Sequence, residues 1–296
     1  MTVSRIALIG FGEVGQALAP ALNGGGAREV RVYDRLFDDP QAPCRLAADR
    51  LPVVPCATLA AALDGADLVI SAVTAAQTSL VAGQVAATLA PGAWFMDLNS
   101  ASPTQKIVAA DAIAAVGGRY VEVAVMSPID PQGITSPMLL GGPFAQAFEP
   151  VAHVLGFAGA RFYSAVPGQA AATKLCRSVL IKGMEALVAE AFLAARHYGV
   201  EDTILKSLGN LLPHPDWPAH ARYMLSRALQ HGARRAEEME EAAATVAAAG
   251  LEPRMASATV GVQRWAAGFG HAASDTDLHT MLDSVRRDID PEEHAG

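Results

Sequence analysis

The stretch IALIGFGEVGQALAPAL, residues 6–22, decides the fold of this chain. It begins with an apolar run typical of a buried strand, ends with apolar residues at helical spacing, and carries Gly10, Gly12 and Gly15 between them. Gly10 permits a tight turn, Gly12 lets the backbone approach a pyrophosphate, and Gly15 lets helix and strand pack closely. Because the helix N-terminus adds N–H donors and a positive dipole end, the stretch predicts a dinucleotide-binding turn.

An acidic residue supports this prediction. Asp34 ends the alternating stretch EVRVYD (29–34), about twenty positions after the glycine turn, as this kind of site requires. A carboxylate there accepts both ribose hydroxyls and repels a 2′-phosphate, which favours NAD over NADP. Arg35 could instead hold that phosphate, so NADP stays possible. The alternative is a glycine-rich turn in an α/β protein that binds no nucleotide.

Composition and charge exclude several classes. The chain has 296 residues, which predicts two domains, and its 22 basic and 30 acidic residues give a formal charge of −8 without a basic run. We therefore expect no nucleic-acid partner. Its 3 cysteines have neither CxxC nor zinc-ligand spacing, so we predict no disulfide framework, no metal site and a cytoplasmic location. No run of roughly eighteen apolar residues occurs, so no membrane partner is expected.

Strands alternate with helices through the first half of the chain. This order predicts an N-terminal Rossmann-type, doubly wound and mostly parallel sheet over residues 1–166. The sequence pattern changes at Gly168 from alternating strands and helices to helices alone. A long helix ending at Gly199 is predicted, followed by a connection with several prolines (211–220) and a helix at 220–249. An all-α domain is therefore expected over 167–296. The predicted strands after the first are 29–34, 51–55, 66–73, 93–98, 119–125, 137–142 and 160–165, and the predicted helices between them are 76–90, 103–116 and 143–155.

Four motifs occur in order along the chain: IGFGEVG (9–15), DLNSASP (97–103), YVEVAVMSP (120–128) and GQAAATK (168–174). Together they resemble the β-hydroxyacid dehydrogenase superfamily, which includes 3-hydroxyisobutyrate and 6-phosphogluconate dehydrogenases. The helical C-terminal part looks closer to its phosphogluconate dehydrogenase-like NAD-binding branch. The resemblance implies an NAD(P)-dependent dehydrogenase that acts on a small hydroxy acid, with a carboxylate substrate and a homodimeric state. It also implies that the helical domain serves substrate binding and dimerisation.

The resemblance also implies that Lys174 is the general acid/base. Near a helix N-terminus and among alanines, an ammonium meets the positive dipole end and partial desolvation, which both disfavour its charged form. At helical spacing Lys174 shares one stripe with Arg177, Ser178 and Glu185. The alternative is that this stripe is the solvated face of an amphipathic helix.

Further site residues follow from the motifs. By resemblance, Asn99 and Ser100 lie beside the nicotinamide, while Ser102 before Pro103 is expected to cap a helix and leave Asn99 free. The predicted cofactor-binding residues are Gly10, Phe11, Gly12, Glu13, Val14, Gly15, Asp34, Arg35, Ala72, Val73, Asn99 and Ser100. The predicted substrate contacts are Ser127, Asn99, Arg177, Ser178 and Lys182.

Two departures from the family's pattern concern the substrate. The family's carboxylate-holding Ser-Gly-Gly is Met126-Ser127-Pro128 here, and its asparagine four residues after the lysine is Ser178, preceded by Arg177. We therefore expect a differently shaped site in which Arg177 pairs with a carboxylate. Lys182 is interpreted as a structural residue or a substrate contact.

Other polar residues have plainer interpretations. His231, Arg234, Arg235 and Glu238 share one helix face, which predicts an exposed ion-pair ladder, with a substrate contact as the alternative. His153, His214 and His220 are taken as ordinary surface or loop residues.

Two other functions remain open at this point. The glycine turn and Asp34 would serve equally well in a non-catalytic protein that binds a dinucleotide and senses redox state. An NADPH-dependent imine or keto reductase is the second possibility, since a related fold reduces imines.

Overall fold

The computed structural model describes residues 3–24, 27–208 and 216–289 of the chain. The chain divides into two compact units, Met1–Lys174 and Leu175–Gly296. The predicted domain boundary at 166/167 precedes the long helix that crosses this division, and it stays a prediction. None of the helices in the described ranges combines the length and apolarity needed to cross a membrane.

The first unit is built on one eight-stranded sheet in the order β3-β2-β1-β4-β5-β6-β7-β8. All neighbouring strands are parallel except β6 and β7, which are antiparallel. This arrangement confirms the predicted doubly wound sheet. The strands are β1 (Arg5–Ile9), β2 (Glu29–Tyr33), β3 (Val54–Pro55), β4 (Leu68–Ser71), β5 (Trp94–Asp97), β6 (Arg119–Val125), β7 (Met138–Gly141) and β8 (Ala160–Ser164).

Helices cover both faces of this sheet, so the first unit has two apolar cores. Alternate residues of β1 show the pattern: Ile6 and Leu8 face one core, whereas Ala7 and Ile9 face the other. Burial on both faces explains why the central strands β1 and β4 are nearly continuous apolar runs. The helices are α1 (Glu13–Asn23), α2 (Pro43–Ala48), α3 (Leu59–Leu63), α4 (Thr78–Ala86), α5 (Pro103–Ala114) and α6 (Ala145–Leu155).

The described residues of the second unit form helices and the short connections between them, which confirms the predicted all-α part. Its apolar core includes Leu225, Met281 and Leu282, none of which is exposed. The helices are α7 (Gln169–Tyr198), whose first residues belong to the first unit, α8 (Glu201–Leu208), α9 (Trp217–Ala248), α10 (Arg254–Ala266) and α11 (Leu278–Ile289).

Several predicted elements differ from the observed ones by a few residues, and two of these differences have clear physical reasons. The strand predicted over 51–55 shrinks to Val54–Pro55, and Pro52, which cannot donate to a sheet ladder, lies outside it. Helix α9 begins at Trp217 rather than at residue 220, because the Asp216 side chain accepts the Ala219 N–H and caps it. Of the predicted connection at 211–220, residues 211–215 lie outside the described residues.

Candidate functional site

The glycine turn joins β1 to α1, and its three glycines have different surroundings. Gly10 has a φ of +89°, and a Cβ there would lie 2.4 Å from the Ala72 carbonyl oxygen. A Cβ on Gly15 would lie 2.4 Å from the Gly10 carbonyl oxygen. Gly12, the N-cap of α1, has no atom within 4 Å of such a Cβ. The protein's own packing therefore requires two of the glycines, and the third keeps an open space beside a helix N-terminus.

A cavity of about 440 Å³ adjoins this turn, within the usual size range of ligand sites. Six of the predicted cofactor residues line it: Gly10, Gly12, Asp34, Arg35, Ala72 and Val73. The Phe11 side chain instead packs in the core, with its ring centroid 6.2 Å from that of Phe37, and Glu13 is exposed. Val14 is half-buried and Gly15 contacts the turn itself.

Asp34 organises the turn from the end of β2. Its Oδ2 accepts the Phe11 N–H at 2.8 Å, and its Oδ1 accepts the Leu36 N–H at 3.0 Å. These bonds hold the carboxylate in the cavity wall beside Arg35. An open glycine backbone, a helix N-terminus and a fixed carboxylate together fit the pyrophosphate and ribose of a dinucleotide.

Asn99 links the ends of two neighbouring strands. Its Oδ1 accepts the Val73 N–H at 2.7 Å, and its Nδ2 donates to Ser71 Oγ at 3.0 Å. The expectation of a free Asn99 is therefore wrong, whereas the predicted cap position of Ser102 before Pro103 is confirmed. Ser102 is the N-cap of α5, but its side chain makes no capping hydrogen bond, and Asn99 is buried and holds the Val73 segment of the cavity wall.

Lys174 contacts Ser100, the residue that follows Asn99. The Lys174 Nζ donates to Ser100 Oγ at 2.6 Å, and both side chains are half-buried. Ser100 follows the carboxyl end of β5, the edge at which open α/β sheets bind ligands. The structure thus brings together two residues from motifs that lie 74 positions apart.

The remaining predicted substrate residues fall in different surroundings. Ser127 is half-buried after β6, and its hydroxyl donates to the Pro128 carbonyl at 3.0 Å. In the second unit, Arg177 is exposed, whereas Ser178 is buried and accepts from Lys182 Nζ at 3.3 Å. Glu185 is also buried. The interpretation of this stripe as a solvated helix face is therefore wrong for Ser178 and Glu185.

Charged side chains form two ion pairs within the helical unit, one of them fully buried and the other between buried Lys182 and half-buried Glu238. Lys182 pairs with Glu238, and Arg235 pairs with Glu185. Burial lowers the pKa of Lys182, and Glu238 opposes that shift. The predicted exposed ladder is wrong for Arg235, which is buried, while Arg234 lies at the surface with its NH1 3.7 Å from Glu238 Oε1. Glu185 on α7 supplies the partner that sequence spacing could not reveal.

The isolated histidines have ordinary positions. His153 lies exposed on α6, with a ring nitrogen 2.8 Å from the Ala160 carbonyl oxygen, and His220 lies on α9. His214 lies outside the described residues.

A buried polar cluster that the sequence analysis missed lies behind the Asn99 segment. Lys106 Nζ is 2.7 Å from Asp97 Oδ1, and Tyr120 donates its hydroxyl to Asp97 Oδ2 at 2.8 Å. Asp97 Oδ1 also accepts the Asn99 N–H at 3.0 Å. Glu122 lies on the neighbouring strand with no exposed surface. The signal was present, since Asp97 and Glu122 interrupt apolar strands that are buried on both faces.

The fold and this cavity define a class: a dinucleotide-binding protein with the dehydrogenase and reductase architecture. Comparison with protein families agrees. The NAD binding domain of 6-phosphogluconate dehydrogenase matches residues 5–167, and a domain of unknown function, DUF1932, matches residues 195–266. The chain belongs to the β-hydroxyacid dehydrogenase superfamily. The match confirms an NAD(P)-binding first domain.

Solved structures extend the comparison over nearly the whole chain. A conserved hypothetical protein from Sinorhizobium meliloti 1021 is 37% identical, with 97% of each chain covered and a TM-score of 0.75. The 3-hydroxyisobutyrate dehydrogenase of Mycobacterium tuberculosis, solved with L-serine, is 20% identical over 96% of this chain and 100% of its own, with a TM-score of 0.71.

A third structure has a different activity. A reductive aminase from Aspergillus terreus, in complex with NADPH and ethyl levulinate, is 20% identical over 96% of this chain and 100% of its own, with a TM-score of 0.54. At this identity the last two likenesses show the fold alone. No curated protein sequence matches the chain.

Proposed function

We propose that this protein transfers a hydride between NAD(H) and a small hydroxy acid or the matching keto acid, with Lys174 as general acid/base. The observation that carries the proposal is the 2.6 Å hydrogen bond from Lys174 Nζ to Ser100 Oγ. It holds the amine at the carboxyl edge of the sheet, the side on which the dinucleotide cavity opens at the end of β1 and β4.

The proposed chemistry gives Lys174 a single task. In oxidation, the neutral amine takes the proton of the substrate hydroxyl, and in reduction the ammonium returns a proton to the carbonyl oxygen. The bound dinucleotide supplies the hydride acceptor or donor. Ser100 fixes the direction of the amine through their hydrogen bond. Gly12 and the N-terminus of α1 hold the pyrophosphate, and Asp34 holds the adenosine ribose.

The substrate is proposed to carry a carboxylate or another polar acceptor. Ser127 offers a half-buried hydroxyl, and Arg177 offers an exposed guanidinium that can pair with a carboxylate in a fork. The Ser178 hydroxyl already accepts from Lys182, and its O–H remains to donate to a substrate carboxylate. Asn99 remains a proposed substrate residue. It would act indirectly, because its side chain holds the Val73 segment in place.

Cofactor preference is proposed to favour NAD, because a fixed Asp34 carboxylate repels a 2′-phosphate. Arg35 lines the same cavity and supports NADP as the second possibility. For the same reason an NADPH-dependent imine or keto reductase is the second candidate function. Relative affinity for the two cofactors separates the candidates.

A homodimer is the proposed state of the protein. The second unit exposes large apolar side chains on α7: Leu180 is 63% exposed and Leu187 is 56% exposed. Apolar area of this kind on one helix face is characteristic of surfaces that bind another chain. Light scattering should therefore give twice the chain mass, and replacing Leu180 and Leu187 by glutamate should yield the monomer.

One experiment tests the enzymatic proposal directly. NAD⁺- and NADP⁺-dependent turnover is measured across hydroxy acids of increasing chain length, for the wild type, Lys174→Ala and the control Lys206→Ala, an exposed lysine on α8. We expect Lys174→Ala to lower kcat by about 10²–10⁴-fold while its NADH affinity stays within about twofold. Turnover by Lys174→Ala at the wild-type rate would refute Lys174 as the proton carrier. NADH binding without turnover of any substrate would favour the redox sensor.

A further inference from the structure

The first turn of α7 cannot cap itself. Gly168 is the N-cap, because its carbonyl accepts the Ala172 N–H at 2.9 Å, and Ala171 occupies the third helical position. A capping box would satisfy the N–H groups of these two positions with a Ser or Thr at the N-cap and a Glu or Gln at the third position. Glycine and alanine have no such side chains, so both N–H groups need a partner from elsewhere in the chain.

Glu122 supplies that partner from the middle of β6. Its Oε2 accepts the Gly168 N–H at 2.5 Å, and its Oε1 accepts the Ala171 N–H at 2.5 Å. The carboxylate has no exposed surface and lies 46 residues before Gly168 in sequence. One side chain on the sheet therefore makes both bonds that a capping box makes locally.

The sheet is shaped to hold this carboxylate. Gly141 on β7 pairs with Glu122, and a Cβ at Gly141 would lie 2.9 Å from Glu122 Oε2. The same Cβ would lie 3.4 Å from the Ala170 Cβ on the first turn of α7. The absence of a side chain at Gly141 thus leaves the space in which strand carboxylate and helix terminus meet.

The electrostatic surroundings of Glu122 are set by α5, β5 and the N-terminus of α7. Burial raises the pKa of Glu122, while Lys106 on α5 and the two N–H bonds oppose that shift and Asp97 on β5 adds to it. An ionised carboxylate is favoured at a helix N-terminus by the helix dipole, and here it also offers an acceptor oxygen to each N–H group.

We infer that Glu122 is the positioning residue for Lys174: it fixes the first turn of α7 and thereby holds the Lys174 amine on Ser100. Lys174 follows Ala171 by three residues, which is just under one helical turn. If the first turn of α7 frayed, the Lys174 amine would therefore lose its fixed position on Ser100. The catalytic meaning of this role rests on the proposed function of Lys174, but the positioning itself can be measured without a substrate.

The test compares Glu122→Gln, Glu122→Ala and the control Tyr120→Phe. Glu122→Gln keeps the volume but replaces one acceptor oxygen by an NH₂ group, and Glu122→Ala removes both acceptors. Tyr120→Phe removes a hydroxyl from the same buried region without touching α7, because that hydroxyl bonds to Asp97. Should Glu122→Ala fail to fold, the isosteric Glu122→Gln carries the test.

Three readouts are taken on the full chain. Amide hydrogen exchange of residues 168–174 should quicken by about tenfold or more in the Glu122 variants. The pH profile of Lys174 acetylation by acetic anhydride, followed by mass spectrometry, should move in the Glu122 variants and not in Tyr120→Phe. With a hydroxy acid that the wild type turns over, kcat should fall by about tenfold or more while NADH affinity stays constant.

Each outcome either supports or overturns the inference that Glu122 positions Lys174. Wild-type exchange and a wild-type acetylation profile in Glu122→Gln would overturn the inference. Equal shifts in Tyr120→Phe would also overturn it, because they would indicate general loosening of the buried cluster. Shifts confined to the Glu122 variants, together with full activity of Lys174→Ala, would support the positioning of Lys174 and refute its proposed catalytic role.

Discussion

Lys106 and Asp97 form an ion pair that is closed off from solvent, with Nζ 2.7 Å from Oδ1 and side chains that are 1% and 0% exposed. Lys106 Nζ also donates to the Asp97 carbonyl at 3.2 Å. The lysine therefore fixes both the side chain and the backbone of the residue that ends β5. Asn99 and Ser100, which follow it, take their position from this pair.

Removal of Lys106 should leave a buried, unpaired charge. We expect Lys106→Met to lower the free energy of unfolding by about 3–5 kcal/mol, because the Asp97 carboxylate loses its counter-ion in a site without water contact. Urea denaturation measures the change, with the exposed Lys206→Met as control. A loss as small as that of the control would contradict the importance of the pair.

The glycines of the turn should separate binding from folding. Gly12 has a φ of −79°, which alanine adopts readily, and open space at its Cβ position. Gly12→Ala should therefore keep the melting temperature but weaken NADH binding by about tenfold or more, about 1.4 kcal/mol, because a methyl group occupies the pyrophosphate's approach. Fluorescence titration and thermal denaturation measure the two effects.

Gly15→Ala is the matched variant with the opposite expectation. Its Cβ would lie 2.4 Å from the Gly10 carbonyl oxygen, so strand and helix must separate, at a cost of about 1–3 kcal/mol. The melting temperature should fall even without cofactor. Identical behaviour of the two variants would show that the turn does not approach a ligand.

Cofactor preference should depend on two adjacent residues. Asp34→Asn removes the charge that repels a 2′-phosphate, so the ratio of NADPH to NADH affinity should rise by about tenfold. Arg35→Ala should lower NADPH affinity and leave NADH affinity unchanged. Titration of each variant with both cofactors gives the ratios. A wild type that prefers NADPH, and loses that preference in Arg35→Ala, would favour the reductase candidate.

The stability of the protein should depend on pH through Glu122. Burial raises its pKa in the folded state above the unfolded value near 4.5, so the folded state binds the proton more tightly. The stabilisation by that proton is complete below the unfolded pKa and is lost as pH rises through the folded pKa. Glu122→Gln lacks this titration.

The free energy of unfolding of the wild type, relative to Glu122→Gln, should therefore fall between about pH 4.5 and the raised pKa and be constant above it. Each unit of pKa shift corresponds to about 1.4 kcal/mol. Urea denaturation at closely spaced pH values gives the curve. A difference that rises with pH over this window would mean that the N–H bonds and Lys106 outweigh burial.

The ion pair between Lys182 and Glu238 should show strong coupling. Lys182→Met removes the closer partner of Glu238, which keeps Arg234 NH1 at 3.7 Å from its Oε1, and should cost about 1–3 kcal/mol. The double variant Lys182→Met/Glu238→Leu replaces both charges by apolar groups and should be much closer to the wild type in denaturation. Additive losses would show that the two side chains act independently.

Local signals in the chain were sufficient for the sheet, the glycine turn and the long helix. Apolar runs, glycine spacing and a proline-free stretch of alanines each reflect contacts made within one element or between neighbours. The pairing of Lys174 with Ser100 was also within reach, because both belong to motifs of one resemblance. Spacing along a single helix failed for Arg235, since its partner Glu185 lies on another helix.

The charged residues of the buried cluster could be suspected from the sequence, but their partners could not, for a related reason. The residues around Lys106 on its helix do not indicate that Lys106 is buried. Its partner, Asp97, lies on another element, at the end of β5. Glu122 could have been suspected, as a charge inside a doubly buried strand needs a partner. Its partners are backbone N–H groups, however, and these have no signature in the sequence.

The cap on α7 also orders the events of synthesis. Because chains fold from the N-terminus as they emerge, β6 and its carboxylate are made before residue 168 exists. The helix that bears Lys174 is thus completed by a side chain of a strand made before it, and a defect in that strand would reach the amine without any change in the helix's own residues.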